Sequence, residues 1–165
     1  LLGGLVLWSQ LMNKPISIPV PEDLWCTVVH PEMEIRTEDA RMVLPKQIPM
    51  SSAIETAGQL GTLISGMYES DYERISAALF DPLVTPFRAR LIPGFEEMMQ
   101  AIRKVGAIGG GISGSGPSVF ALGTNETSTR KAALTMQRCF LEENLESHQL
   151  TSKVSAKGAR VVEII

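Results

Sequence analysis

Apolar residues recur along this chain at two different spacings, and the change of spacing separates strands from helices. Residues 4–8 and 16–20 are short apolar runs that predict strands. Residues 24–29 form a stronger run, apolar at successive positions, which predicts a strand covered on both faces. Thr37 is placed to cap a short helix, with Glu38 and Asp39 favourable in its first turn and Pro45 ending it. From about Ser52, Ala53, Ala57, Leu60, Ile64 and Met67 follow at spacings of four, three, four and three, which predicts one buried helix face. Residues 71–80 repeat that pattern with Ile75, Ala78 and Leu79. Phe95, Met98, Met99, Ile102 and Val105 mark another amphipathic helix, which Gly106 stops.

A strand follows at 118–122, and a helix after it carries Ala133, Met136, Phe140, Leu141 and Leu145, with Thr127 as its expected cap. Two further strands are expected at 150–155 and 159–164, joined as an antiparallel hairpin across Lys157-Gly158. Strands and helices mix without regular alternation. That predicts an α+β fold, with helices on one face of an antiparallel sheet.

Composition narrows the function classes. At 165 residues the chain is one domain or most of one, large enough to bury a core without staples. Fifteen Lys and Arg against 18 Asp and Glu leave a net charge of −3, which argues against non-specific nucleic-acid binding. No apolar run approaches the ~20 residues of a membrane span. Cys26 and Cys139 lie far apart in apolar segments and read as buried, reduced thiols, in keeping with a cytoplasmic protein. His30 and His148 have no partners at metal-ligand spacing. The first residue is Leu1, inside an apolar run, so we expect a chain whose N-terminal part has been removed.

The segment richest in chemistry is Gly109-Gly110-Gly111-Ile112-Ser113-Gly114-Ser115-Gly116-Pro117-Ser118. Glycine permits positive φ and a close approach to backbone. Successive N–H groups can then converge on an anion, with the Ser113 and Ser115 hydroxyls at the rim. On composition alone a tight turn between helix and strand explains the run equally well. It is not a Walker loop, because no Gly-Lys-Ser/Thr follows. It also lacks the strand-before, helix-after order of the dinucleotide fingerprint. Arg41 falls on the margin of the short helix's apolar stripe, and Arg88 shares a side with Leu91 and Ile92 whereas Arg90 points away. Solvated surface arginines remain the alternative for all three.

The stretch from Gly111 to Leu122 resembles the third, C-terminal glycine-rich motif of the GHMP kinases. Three further segments, Leu2 to Leu7, Thr37 to Pro45 and Pro86 to Phe95, together with Lys157-Gly158-Ala159-Arg160-Val161, are similar to the homoserine-kinase branch of that family. The similarity spans nearly the whole chain in the same order. It implies a ferredoxin-like C-terminal domain over residues 21–165, with residues 1–20 as remnant strands at the junction with an N-terminal ATP-binding domain.

The resemblance also implies roles. Arg41 and Arg88 would hold the substrate carboxylate, which suits the planar fork of guanidinium. Gly111, Ser113, Gly114, Ser115 and Gly116 would form a wall of the cleft and offer donors to developing phosphate charge. ATP and Mg²⁺ would be bound mainly by the missing N-terminal part. Catalytic residues are expected there too, with no metal ligand in this chain, and the fragment alone is expected to be inactive. The implied substrate is L-homoserine, phosphorylated on its side-chain hydroxyl on the path to threonine. Two alternatives stay open, another GHMP small-molecule kinase and a stand-alone amino-acid-binding regulatory domain. A homodimer is left open as well.

Overall fold

The first two apolar runs close on each other. In a computed structural model that describes residues 2–161 and residue 163, β1 (Leu5–Ser9) and β2 (Lys14–Ile18) pair antiparallel as a separate ribbon. The strongest run becomes β3 (Trp25–Pro31), on which the main sheet is built. Four helices follow: α1 (Thr37–Met42), α2 (Met50–Glu69), α3 (Tyr72–Ala78) and the short α4 (Thr85–Arg88), continued by one 3-10 turn over Ala89–Leu91. Then come α5 (Phe95–Lys104), β4 (Gly109–Ile112), β5 (Val119–Gly123), α6 (Glu126–Glu142) and β6 (Ser147–Lys153). The main sheet runs β4-β5-β3-β6, antiparallel throughout, with β4 and β6 at its edges.

Register explains why β3 reads as apolar on both faces. Val29 pairs with Val119 and Thr27 with Ala121, and this face packs against α5 and α6 through Met98, Ile102, Met136 and Phe140, all fully buried. Cys26 pairs with Leu122 and Val28 with Phe120. Leu122 and Phe120 on that opposite face pack with Met67 of α2 and Ile75 of α3. The expected helical layer is therefore α5 and α6, and α2 with α3 adds cover on the other side.

Only the C-terminal half of α2 buries the predicted stripe. Met67 is buried and Ile64 partly so, whereas Ala57 and Leu60 are exposed, Leu60 at the edge of an open cavity that also touches β4 and β5. Asn125, not Thr127, caps α6, its Oδ1 accepting from the Ser128 N–H at 2.9 Å. Arg36 occupies the N-cap position of α1 without a side-chain bond, and Thr37 is its first helical residue. The last strand begins earlier than expected, at Ser147, and ends at Lys153.

The expected hairpin partner at 159–164 does not form over Ala159, Arg160, Val161 and Glu163, and Val162 and Ile164 lie outside the described residues. The chain turns instead toward the N-terminal ribbon. Val154 N donates to Leu24 O at 2.9 Å, and the Gly4 N–H meets Ser155 O at 2.6 Å.

The glycine run is half strand. Gly109–Ile112 is edge strand β4, although glycine is depleted in strands. Packing supplies the reason. A Cβ on Gly110 would run into the carbonyl oxygen of Phe120 and come within 2.9 Å of Ile102 Cδ1 from α5.

Candidate functional site

The rest of the run is a loop tied at its base and open at its tip. Ser113 N donates to Ser118 O at 2.8 Å, and Gly116 N to Ser113 O at 3.1 Å. Gly114 and Gly116 sit at φ of +63° and +82°, a region glycine enters without strain. Ser113 and Gly114 are exposed, and Ser115 and Gly116 are half-buried. Among the described residues the N–H groups of Gly114 and Ser115 reach no acceptor, so both remain available to an anion. Ser115 Oγ contacts its neighbour's carbonyl, Gly116 O, at 3.3 Å.

Arg88 joins this loop to α1. Its Nε–H donates to Ala40 O at 3.0 Å and its Nη1 to Gly114 O at 2.9 Å. A guanidinium carries five N–H donors, so three are left after these two bonds. The side chain is half-buried, and α4 aims it. Asp81 Oδ1 accepts from Leu83 N at 2.8 Å and Val84 N at 3.1 Å, which sets the turn entering α4. Pro86 then supplies a φ already suited to a first helical turn. Arg90 is exposed on the following 3-10 turn.

Arg41 follows Ala40 directly, in the last turn of α1, and is exposed. Its side chain makes no hydrogen bond or ion pair among the described residues. Two other charges at the start of α1 pair with each other. Arg36 Nε and Nη2 meet Asp39 Oδ2 and Oδ1 at 2.9 and 3.1 Å. Hydrogen bonding from Arg36 holds the Asp39 carboxyl below the usual carboxylate range. The order Arg41, Ala40 carbonyl, Arg88, Gly114 carbonyl thus places both predicted arginines and the loop in one neighbourhood.

Behind Arg88 a cavity of about 450 Å³ opens on the sheet face that α2 and α3 cover. Gly111 and Gly114 line it from the glycine run, Arg88 and Asp81 from around α4, and Thr56 and Gln59 from α2, over an apolar floor that includes Leu63 and Phe120. Gln59 Oε1 is buried there and receives no hydrogen bond among the described residues. Sequence reasoning passed over Gln59. Its one signal is position, since Thr56, Gln59 and Leu63 share a helix face at three- and four-residue spacing.

A second cavity of about 340 Å³ lies between α4 and α5, on the far side of Leu79 and Phe80. It touches none of the loop residues 113–118. Its polar rim, Glu96, Gln100 and Arg103, is exposed, and Arg103 is bound to Ser76 Oγ and Ile108 O. The first cavity has the stronger claim, because it holds a buried polar atom and a half-buried guanidinium.

The remaining candidates have local explanations. His30 Nδ1 lies 2.9 Å from Ser118 Oγ, at the loop's base, and His148 Nε2 lies 3.3 Å from Glu32 Oε1. Cys26 and Cys139 are free, and burial raises both thiols above their ordinary range. Among the described residues no three His, Cys, Asp or Glu side chains are grouped to hold a metal ion. No described helix is long and apolar enough to cross a membrane.

Comparison with known proteins fits this geometry. Residues 63–142 match the family described as GHMP kinases C terminal. The homoserine kinase of Chlorobium phaeobacteroides strain BS1 is 45% identical over 149 residues, which are 89% of this chain and 47% of that protein. The homoserine kinase of strain DSM 266 of the same species is 44% identical over 165 residues, 98% of this chain and 52% of that protein. The chain spans about half the length of the curated relatives it matches. The crystal structure of homoserine kinase from Cytophaga hutchinsonii superposes with a TM-score of 0.91 at 39% identity, over 94% of this chain and 50% of that one. The antiparallel sheet and its helical layers therefore have a known setting: the chain belongs to the GHMP kinase family, whose C-terminal domain it carries.

Proposed function

We propose that this chain is the C-terminal domain of a cytoplasmic kinase that transfers the γ-phosphoryl group of ATP to the side-chain hydroxyl of L-homoserine, a step toward threonine. The observation that carries the reading is Arg88, half-buried and bonded to both the α1 backbone and the glycine loop. It is supported by identity above 40% to two homoserine kinases over nearly the whole chain. Residues 21–165 form the domain proper, and residues 1–20 are the strands that meet an N-terminal ATP-binding half.

In the reaction the homoserine hydroxyl oxygen bonds to the γ-phosphorus, the bond from that phosphorus to the β-phosphate bridge oxygen breaks, and the hydroxyl proton is released. Such transfer is catalysed mainly by positioning and by stabilising charge. ATP, with Mg²⁺ neutralising its phosphates, would supply the phosphoryl group and would be held mainly by the N-terminal half. This domain supplies the other wall. Arg88 and Arg41 orient the carboxylate, and Arg88 uses donors not already spent on Ala40 and Gly114. The free N–H groups of Gly114 and Ser115, with Ser113 Oγ at the rim, face developing negative charge. Gly111 and Gly116 carry the backbone that holds the tip in place.

The test is ATP-dependent phosphorylation by the full-length protein across a panel of L-homoserine, mevalonate and a hexose. Homoserine is expected to be the turned-over substrate. Turnover of mevalonate or the hexose in its place would assign another member of the family. Tight amino-acid binding without turnover would instead favour a regulatory domain.

A further inference from the structure

The zwitterionic end of an amino acid brings two groups into one cavity, a carboxylate and an ammonium. The α4 side of the cavity beside the glycine loop provides Arg88 for the first. The α2 side provides Gln59, whose Oε1 is buried and unserved by any donor among the described residues. A buried acceptor without a donor is costly, and a partner that supplies one recovers that cost. An ammonium brings three donors and no acceptor, so it must find acceptors in the pocket.

Gly114 O takes the Arg88 bond, and Asp81 Oδ1 takes two backbone N–H bonds that fix the start of α4, which leaves Asp81 Oδ2 as a charged acceptor on the α4 side. Asp81 adds negative charge and an open oxygen on one side of the cavity, and Gln59 adds on the α2 side a buried acceptor that no donor among the described residues serves. Thr56, one turn earlier on α2, donates its hydroxyl proton to Ser52 O at 2.9 Å and keeps its oxygen as a further neutral acceptor.

We propose that Gln59 is a specificity-determining residue, its Oε1 accepting a hydrogen bond from the α-ammonium of the amino-acid alcohol whose carboxylate Arg88 holds. This rests on the reading that the intact protein acts on an amino-acid alcohol. It adds the element that separates such a substrate from a hydroxy acid of the same shape. A neutral amide suits the role, because it accepts from the ammonium without drawing Arg88 into an internal ion pair.

The experiment uses the full-length kinase and two ligands, L-homoserine as substrate and 4-hydroxybutyrate, which lacks the ammonium, as a competitor. In Gln59→Leu, kcat/KM for homoserine is expected to fall about tenfold or more, the scale of one hydrogen bond to a charged group. The inhibition constant of 4-hydroxybutyrate and the KM for ATP should change by less than about twofold on the same reasoning. Gln59→Glu, which keeps an acceptor, is expected to retain discrimination in favour of the amino acid.

Equal losses for both ligands in Gln59→Leu would overturn the proposal, leaving Gln59 a wall residue. Loss of homoserine preference in Gln59→Glu would overturn it too, since the amide would then be donating to the carboxylate. An unchanged ATP KM and an unchanged melting temperature show that the variants are folded. If the wild-type protein phosphorylates no amino-acid alcohol, the functional reading fails first and this inference falls with it. If it does and the Gln59→Leu ratio does not move, this inference alone fails.

Discussion

At the scale of single residues, Arg88 does two jobs that one substitution can separate. Its Nε and Nη1 tie α1 to the glycine loop, and its other donors are available to a ligand. On the proposed function, Arg88→Ala removes both jobs and is expected to raise the homoserine KM of the full-length protein by about 10- to 100-fold, as for a lost hydrogen bond to a charged group. Arg88→Lys keeps the charge but not the planar fork, and should recover little of the loss. Arg41→Ala removes a side chain that holds nothing else among the described residues. It should therefore raise the homoserine KM while leaving the melting temperature and the ATP KM unchanged. Steady-state kinetics with each substrate varied in turn would check this. Equal effects on the two substrates would remove Arg41 from carboxylate binding.

At the scale of elements, the glycine run shows what a pattern of residue types can and cannot convey. Its tip was legible, because Ser113 to Gly116 combines glycines that take positive φ with hydroxyls at the rim. Its first half was not, because the need for glycine at 110 comes from Phe120 and Ile102, which only the fold brings there. The same limit applies to the long helix α2. Its apolar spacing predicts a continuous buried face, yet a turn is buried only where the fold packs another element against it, and Leu60 instead borders the open cavity beside Gly111 and Phe120. Gln59 escaped notice for a related reason, since a lone amide on a helix signals nothing until a cavity forms around it.

The segment after Lys153 followed a different course because its backbone partners, Leu24 and Gly4, are distant in sequence. Gly110 gives a direct test of the packing argument. Gly110→Ala adds one methyl group against backbone that cannot yield, so it should destabilise the domain by about 1–3 kcal/mol, the usual cost of overpacking. Urea denaturation of the two proteins would measure it. A change below a few tenths of a kcal/mol would mean that β4 can shift away from β5 and α5, and that the glycines serve the loop alone.

At the scale of the whole molecule, one sheet separates two cores. Ile102 of α5 is fully buried among Met98, Val119 and Ala121, and Ile75 of α3 is fully buried among Met67 and Leu122. Among the described residues none belongs to both clusters, yet β3 and β5 contribute to each by alternation along the same strands. The fold should therefore be energetically divided at the level of side chains and united at the level of backbone. Ile102→Ala and Ile75→Ala are each expected to cost about 2–5 kcal/mol, the range for truncating a buried aliphatic side chain. The two truncated side chains belong to separate clusters on opposite faces of the sheet, so the double variant should equal the sum of the single ones within about 0.5 kcal/mol. Unfolding should still occur in a single transition, because loss of either helical layer strips one face of the strands that carry the other. Chemical denaturation of this 165-residue chain and its three variants, followed by both tryptophan fluorescence and circular dichroism, would decide the matter. A double variant whose two probes report separate transitions would show that α2 and α3 form a detachable layer, and the cavity holding Arg88 and Gln59 would then depend on a layer that can come away from the sheet on its own.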